Sequence, residues 1–136
     1  MATKNYFTDL DLNFQPNYLD GDVTCKINEE AVKRSLRNLI LIRRYEKPFH
    51  PEITSGIQDL LFENPNPVIY GVLQSHVEEL IRRYEPRVND LMVKFSTDYD
   101  NNAAIVNIKF TITNRPQVLE TNILLERTRW VTQILE

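Results

Sequence analysis

The sequence predicts an α+β domain: two main helices packed on one face of a three- to four-stranded antiparallel sheet, with an extended N-terminal arm. Three observations carry this. Two amphipathic patterns with a period near 3.6 fill the middle of the chain, and the apolar period changes to 2 from Leu91 onward. Proline- and asparagine-rich stretches separate the segments. At 136 residues the chain makes one domain, able to bury roughly two-thirds of its unfolded surface.

The arm is residues 1–27, polar and interrupted by Pro16 and Gly21, with Tyr6, Phe7, Phe14 and Tyr18 as aromatic anchors onto the body or a partner. A helical half covers 28–86. Asn28 offers a cap to the first helix, Glu29 and Glu30 suit the positive end of its dipole, and Val32, Leu36, Leu39 and Ile40 form its apolar stripe. Pro48 ends any continuation, and prolines at 48, 51, 65 and 67 make 45–67 a loop region. Within it, 55–62 predicts a short helical turn that buries Ile57, Leu60 and Leu61. Asn66 caps the second helix with Pro67 at its first position, and Val68, Ile69, Val72, Leu73, Leu80 and Ile81 supply the stripe.

An antiparallel meander follows over 87–127. Leu91, Val93 and Phe95 alternate with polar neighbours, and 98–102 is rich in turn residues. Ala104, Val106, Ile108, Phe110 and Ile112 form the cleanest alternation in the chain. Asn114, Arg115, Pro116 and Gln117 predict a turn, and Leu119, Ile123 and Leu125 mark a third strand. Residues 128–136 are a C-terminal extension.

Composition narrows the function classes. The chain is 42% hydrophobic and 26% charged with a net charge of −3, so it lacks the basic surplus of a nucleic-acid binder. Lys33, Arg34 and Arg37, and again Arg43 and Arg44, are local basic groups that on a helix form a solvated face. No apolar run reaches the ~20 residues of a membrane span, and the N-terminus lacks a signal-peptide core. The single cysteine, Cys25, predicts no internal disulfide, a reducing cytoplasm, and a small packing residue rather than a nucleophile.

Enzyme chemistry finds little purchase. There is no glycine-rich phosphate loop, His50 and His76 stand apart from each other and from Cys25, and Ser55 has no nucleophile-elbow context. No metal or cofactor is expected. A glycosidase needs only two spaced carboxylates, and Glu46, Glu52, Asp59 and Glu63 share the irregular segment, yet no pair stands out.

The most informative feature is Glu85-Pro86-Arg87, at the junction between the longest helical pattern and the first strand. Proline disfavours helix at the residue before it, so the helix closes near Tyr84 or Glu85. A carboxylate and a guanidinium then sit at one corner, where Arg87 offers a planar fork for bidentate bonds.

Three segments occur in order: Lys47-Pro48-Phe49-His50-Pro51-Glu52, then residues 56–63 ending Asp59-Leu60-Leu61-Phe62-Glu63, then Tyr84-Glu85-Pro86-Arg87-Val88. Together, over roughly residues 5–127, they resemble the baseplate wedge, or sheath-initiator, family of contractile phage tails. The family has a relative in type VI secretion baseplates and has carried a lysozyme-like label. The resemblance implies a structural subunit of the virion tail baseplate, assembled in the host cytoplasm and present in six copies, one per wedge. It implies attachment to the wedge core bundle through Glu85, Pro86 and Arg87. It also implies templating of the tail sheath by strand exchange, with the strand at Leu119, Thr121, Ile123 and Leu125 as the pairing region. Tube or hub-proximal baseplate proteins are further partners, and neither nucleic acid nor membrane is one. The isolated chain is expected to be a monomer. Trp130, beyond the matched stretch, is a candidate interface anchor. A peptidoglycan-cleaving hydrolase is the alternative function, and a free adaptor domain fits the fold but not the motif set.

Overall fold

The computed structural model describes residues 6–60, 66–98, 100, 103–126 and 132–135. The arm is doubled back on itself. Strands β1 (Thr8–Leu10) and β2 (Cys25–Ile27) pair antiparallel, Thr8 opposite Ile27, and an isolated bridge joins Pro16 to Val23 further out. Gly21 closes the tip at φ +69, a left-handed conformation that glycine adopts without strain. Phe7 anchors this excursion on the body, packed against the core, whereas Phe14 and Tyr18 stay exposed. Cys25 is also exposed, correcting its expected packing role: it sits in a two-stranded sheet too small to bury both faces.

Helix α1 (Asn28–Leu41) begins where the sequence places it, but Asn28 does not cap it. Its backbone is left-handed, at φ +48, and its Oδ1 accepts from the backbone N–H of Tyr6 (2.8 Å) and of Phe7 (3.3 Å). Asn28 N–H in turn donates to the Phe7 carbonyl at 2.8 Å. The polar side chain that would have satisfied the helix start instead ties the arm to it. Val32, Leu36 and Ile40 enter the core as expected, while Leu39 is only half-buried.

A single turn, α2 (Ile57–Leu60), buries Ile57; Leu61 lies outside the described residues. Helix α3 (Pro67–Tyr84) has the expected start, with Asn66 Oδ1 accepting from Val68 N–H at 2.9 Å and Pro67 in the first turn. Its buried stripe is Leu73, Val77, Leu80 and Ile81. Val68 and Val72, assigned to the stripe from sequence, are exposed, and Val77 was missed. At about 100° per residue, Val72 and Val68 point roughly 100–140° away from Leu73. Packing against the sheet selects the face centred on Leu73 and Val77.

The four-stranded antiparallel sheet runs in the order β3 (Val88–Asp98), β4 (Ala103–Ile112), β5 (Arg115–Glu126), β6 (Thr132–Leu135). Every alternate residue of β4 from Ala104 to Ile112 is buried, so the cleanest period-2 pattern became the central strand. The β4–β5 turn is Thr113-Asn114, with Asn114 at φ +69, and not the predicted 114–117. A two-residue hairpin needs a left-handed residue, which asparagine tolerates. Pro116 thus falls inside β5, on a stretch with no β6 neighbour, where a missing N–H is harmless. The C-terminal extension supplies β6, with Ile134 opposite Ile123.

The core forms where α1, α2 and α3 meet the buried face of the sheet, and Phe110 is its largest fully buried side chain. Replacing Phe110→Ala is expected to destabilise the protein by about 3–5 kcal/mol in urea unfolding. Val72→Ala, on the exposed side of α3, should change it by no more than about 0.5 kcal/mol. Equal effects would contradict this placement of the core.

Candidate functional site

The corner that ends α3 is built from backbone first. Glu85 N–H donates to the Ile81 carbonyl at 2.8 Å, completing the last helical turn, and Pro86 prevents another. The Arg87 carbonyl accepts from Thr113 N–H (3.0 Å) and Thr113 Oγ1 (3.2 Å), which locks the corner to the β4–β5 turn. Helix end, strand start and hairpin turn therefore meet at Arg87.

The side chains form a three-charge cluster. Arg87 Nε and Nη2 donate to Glu85 Oε1 and Oε2 at 2.6 and 2.8 Å, a bidentate pair. Arg87 Nη1 and Nη2 donate to the two carboxylate oxygens of Asp9, both at 3.1 Å. The guanidinium also lies over the Phe7 ring, 5.4 Å from its centroid. The hydrogen bonds that Arg87 donates to Glu85, opposed by desolvation and helped by those to Asp9, hold the guanidinium pKa above its already high ordinary value. Arg87 is therefore a permanent cation.

The two acids differ in depth. The Glu85 side chain is 3% exposed, Arg87 21% and Asp9 37%, so the ladder of charge runs from interior to solvent. Glu85 is an internal counter-ion, while the rims of Arg87 and Asp9 face outward. Sequence reasoning found Glu85 and Arg87 and missed Asp9, 78 positions away in a short polar arm. No local pattern marks it.

The four residues assigned to strand pairing, Leu119, Thr121, Ile123 and Leu125, all face the core. Their side chains are committed inward, so any pairing capacity of β5 resides in its backbone. Residues 122–125 of that backbone already face β6, whereas among the described residues 115–121 have no neighbour on that side. Trp130 lies outside the described residues.

The described carboxylates of the irregular segment, Glu46, Glu52 and Asp59, do not converge. Glu46 accepts from the Arg43 backbone N–H at 2.8 Å, Glu52 pairs with His50 at 2.9 Å, and Asp59 is exposed. The His50 hydrogen bond holds Glu52 below the usual carboxylate range, the opposite of what a general acid requires. Glu63 lies outside the described residues. His76 contacts the Thr54 carbonyl at 2.9 Å. No group of three or more His, Cys, Asp or Glu residues able to hold a metal occurs among the described residues, and no described helix is long and apolar enough to cross a membrane.

Residues 27–117 match the family described as baseplate wedge protein gp25. That span runs from the end of β2 to the start of β5 and contains the Glu85–Arg87 corner. The baseplate wedge protein gp25 of Enterobacteria phage T4 is 31% identical over 114 residues, covering 84% of this chain and 86% of the phage protein. Two solved structures share the fold. One, named a candidate tail lysozyme, is from Geobacter sulfurreducens: TM-score 0.64 at 21% identity, covering 76% of this chain and 94% of that one. The other comes from the six-fold symmetrised baseplate of the anti-feeding prophage: TM-score 0.56 at 18% identity, covering 91% and 88%.

The corner makes a graded prediction for stability. Arg87→Ala strands Glu85 in the interior and should cost about 3–5 kcal/mol in denaturant unfolding. Asp9→Asn, at a third-exposed position, should cost less than about 1 kcal/mol. If the two substitutions cost the same, Glu85 is not the buried counter-ion described here.

Proposed function

This chain belongs to the baseplate wedge protein gp25 family, and on that premise we propose that it is a structural subunit of a contractile-tail baseplate wedge, resident in the virion tail. The observation that carries this reading is the family match over 27–117, which includes both main helices, the Glu85-Pro86-Arg87 corner and the two strands that follow. We place one copy in each wedge of a six-fold baseplate and a monomer in free solution.

Attachment to the wedge core bundle runs through the corner. Arg87 and Asp9 keep partly exposed rims at the surface, and a partner's polar groups arriving there join a cluster already held rigid by Glu85. Truncating one member of a desolvated charged contact typically costs about 2–5 kcal/mol of binding. Arg87 is suited to this because its fork fixes orientation as well as charge.

Sheath templating uses the β5–β6 side of the sheet. An unpaired strand edge recruits another chain's strand through backbone hydrogen bonds. Residues 115–121 of β5 and the outer side of the four-residue β6 are the candidate edge, which keeps the pairing region of the third strand but assigns the pairing to its backbone. The hydrolase alternative draws no support from the carboxylates, which are dispersed or paired with basic groups.

Two experiments test this. A tagged chain recovered from cells assembling tails should bring down wedge and sheath proteins. Arg87→Lys, which keeps the charge and loses the fork, should cut wedge recovery at least tenfold while the protein still melts cooperatively. Unchanged recovery sinks the corner as the attachment point. Separately, single prolines at the solvent-facing positions Val118 and Glu120 should leave the chain in purified baseplates but slow sheath growth on them. Normal sheath growth with every proline would reject this edge.

A further inference from the structure

Next to Asp9, the N-terminal excursion, α1 and the loop after α1 enclose an open groove of about 510 Å³. One wall is Leu10, at the end of β1, and Leu12, in the turn that follows, 62% and 50% exposed. The opposite wall comes from α1, where Ser35, Asn38, Leu39 and Ile42 recur at i, i+3, i+4 and i+7. That face lies roughly 100° round the helix from the Val32–Leu36–Ile40 stripe, so α1 works on two sides. It also explains why Leu39 is half-buried rather than in the core. Ile53, itself buried, and Tyr84 at the end of α3 complete the lining.

The lining charges are mostly paired: Arg34 with the buried Asp11 and Asp9 with Arg87, which leaves Lys47 as the uncompensated cation. The groove's lining contains Arg34 and Lys47, and its one carboxylate, Asp9, is turned onto Arg87. Arg34 reaches Asn13 at 3.1 Å and Asp11 at 3.7 Å, but its buried Nε has no hydrogen-bond partner. Lys47 makes no ion pair among the described residues. The rim segment 42–47 carries Arg43, Arg44 and Lys47 against the single acid Glu46. Apolar walls with a basic rim select an occupant with an apolar stripe and an acidic flank. Both walls are made of side chains, which favours side-chain anchors over strand addition.

We propose that this groove receives an amphipathic helix of another baseplate component. Its apolar anchors lie between Leu12 and the Leu39–Ile42 face, and its acidic residues line up along the 42–47 rim. The proposal rests on the wedge reading and deepens it, because the groove adjoins the attachment corner at Asp9.

A photo-crosslinking residue placed at Leu12, a half-exposed position, reads out the occupant inside assembled tails by mass spectrometry. The expected product joins position 12 to a helical segment with apolar residues three or four apart and Asp or Glu beside them. In parallel, Leu12→Asp should lower incorporation into baseplates at least tenfold, and Lys47→Glu severalfold, with Val72→Asp on the exposed face of α3 as the unaffected control. Normal incorporation of Leu12→Asp overturns the groove. So does a crosslink to a strand, to a basic segment or to nothing, in a chain that is present in tails; the wedge reading then survives. A wild-type chain absent from tails overturns both.

Discussion

A carboxylate that is 3% exposed must have its charge compensated, and in this fold the compensation comes from one guanidinium. Glu85 lies at the point where α3 stops and the sheet begins, so the requirement to pair it governs how those layers meet. Arg87 answers it two residues later, with its carbonyl held by Thr113 and its fork spread between Glu85 and Asp9. Remove that cation and two connections loosen, helix end to strand and body to N-terminal excursion, while the backbone bond to Thr113 stays. The order of burial matters too, because Glu85 orients Arg87 from inside while Asp9 leaves the outer rim reachable.

The sheet divides labour in a comparable way. Strand β4 is buried on alternate positions along its whole length and serves as the keel against which α1 and α3 pack. The sheet has two margins among the described residues, the 11-residue β3 on one side and, on the other, the short β6 with the start of β5 that contains Pro116. Proline and a short strand both discourage adventitious strand pairing at such a margin.

The charged corner, with the groove beside Asp9, and the β5–β6 margin present surfaces of different chemistry. Arg87, Asp9 and the basic rim at 42–47 gather near the end of α3, where charge and apolar surface are presented together. The β5–β6 margin belongs to the other end of the sheet order. The family to which the chain belongs is one of baseplate wedge proteins.

Much of this was legible in the chain itself. The change of apolar period at Leu91, the Asn66-Pro67 helix start and the Glu85-Pro86 stop are local signals, set by backbone geometry and side-chain spacing within a few residues, and they settled the class and order of elements. The three motifs ending at Glu85-Pro86-Arg87 also pointed to the family. What local spacing could not decide was orientation and partnership. Val68 and Val72 fit a helical stripe as well as Val77 does until the sheet selects a face. Asn28 reads as a cap until the arm arrives to claim its amide oxygen. Asp9 is one polar residue among many until the topology carries it 78 positions to Arg87. Periodicity specifies which faces are apolar; only the packed chain specifies which charges share a site, because that depends on contacts between segments that carry no mark of each other.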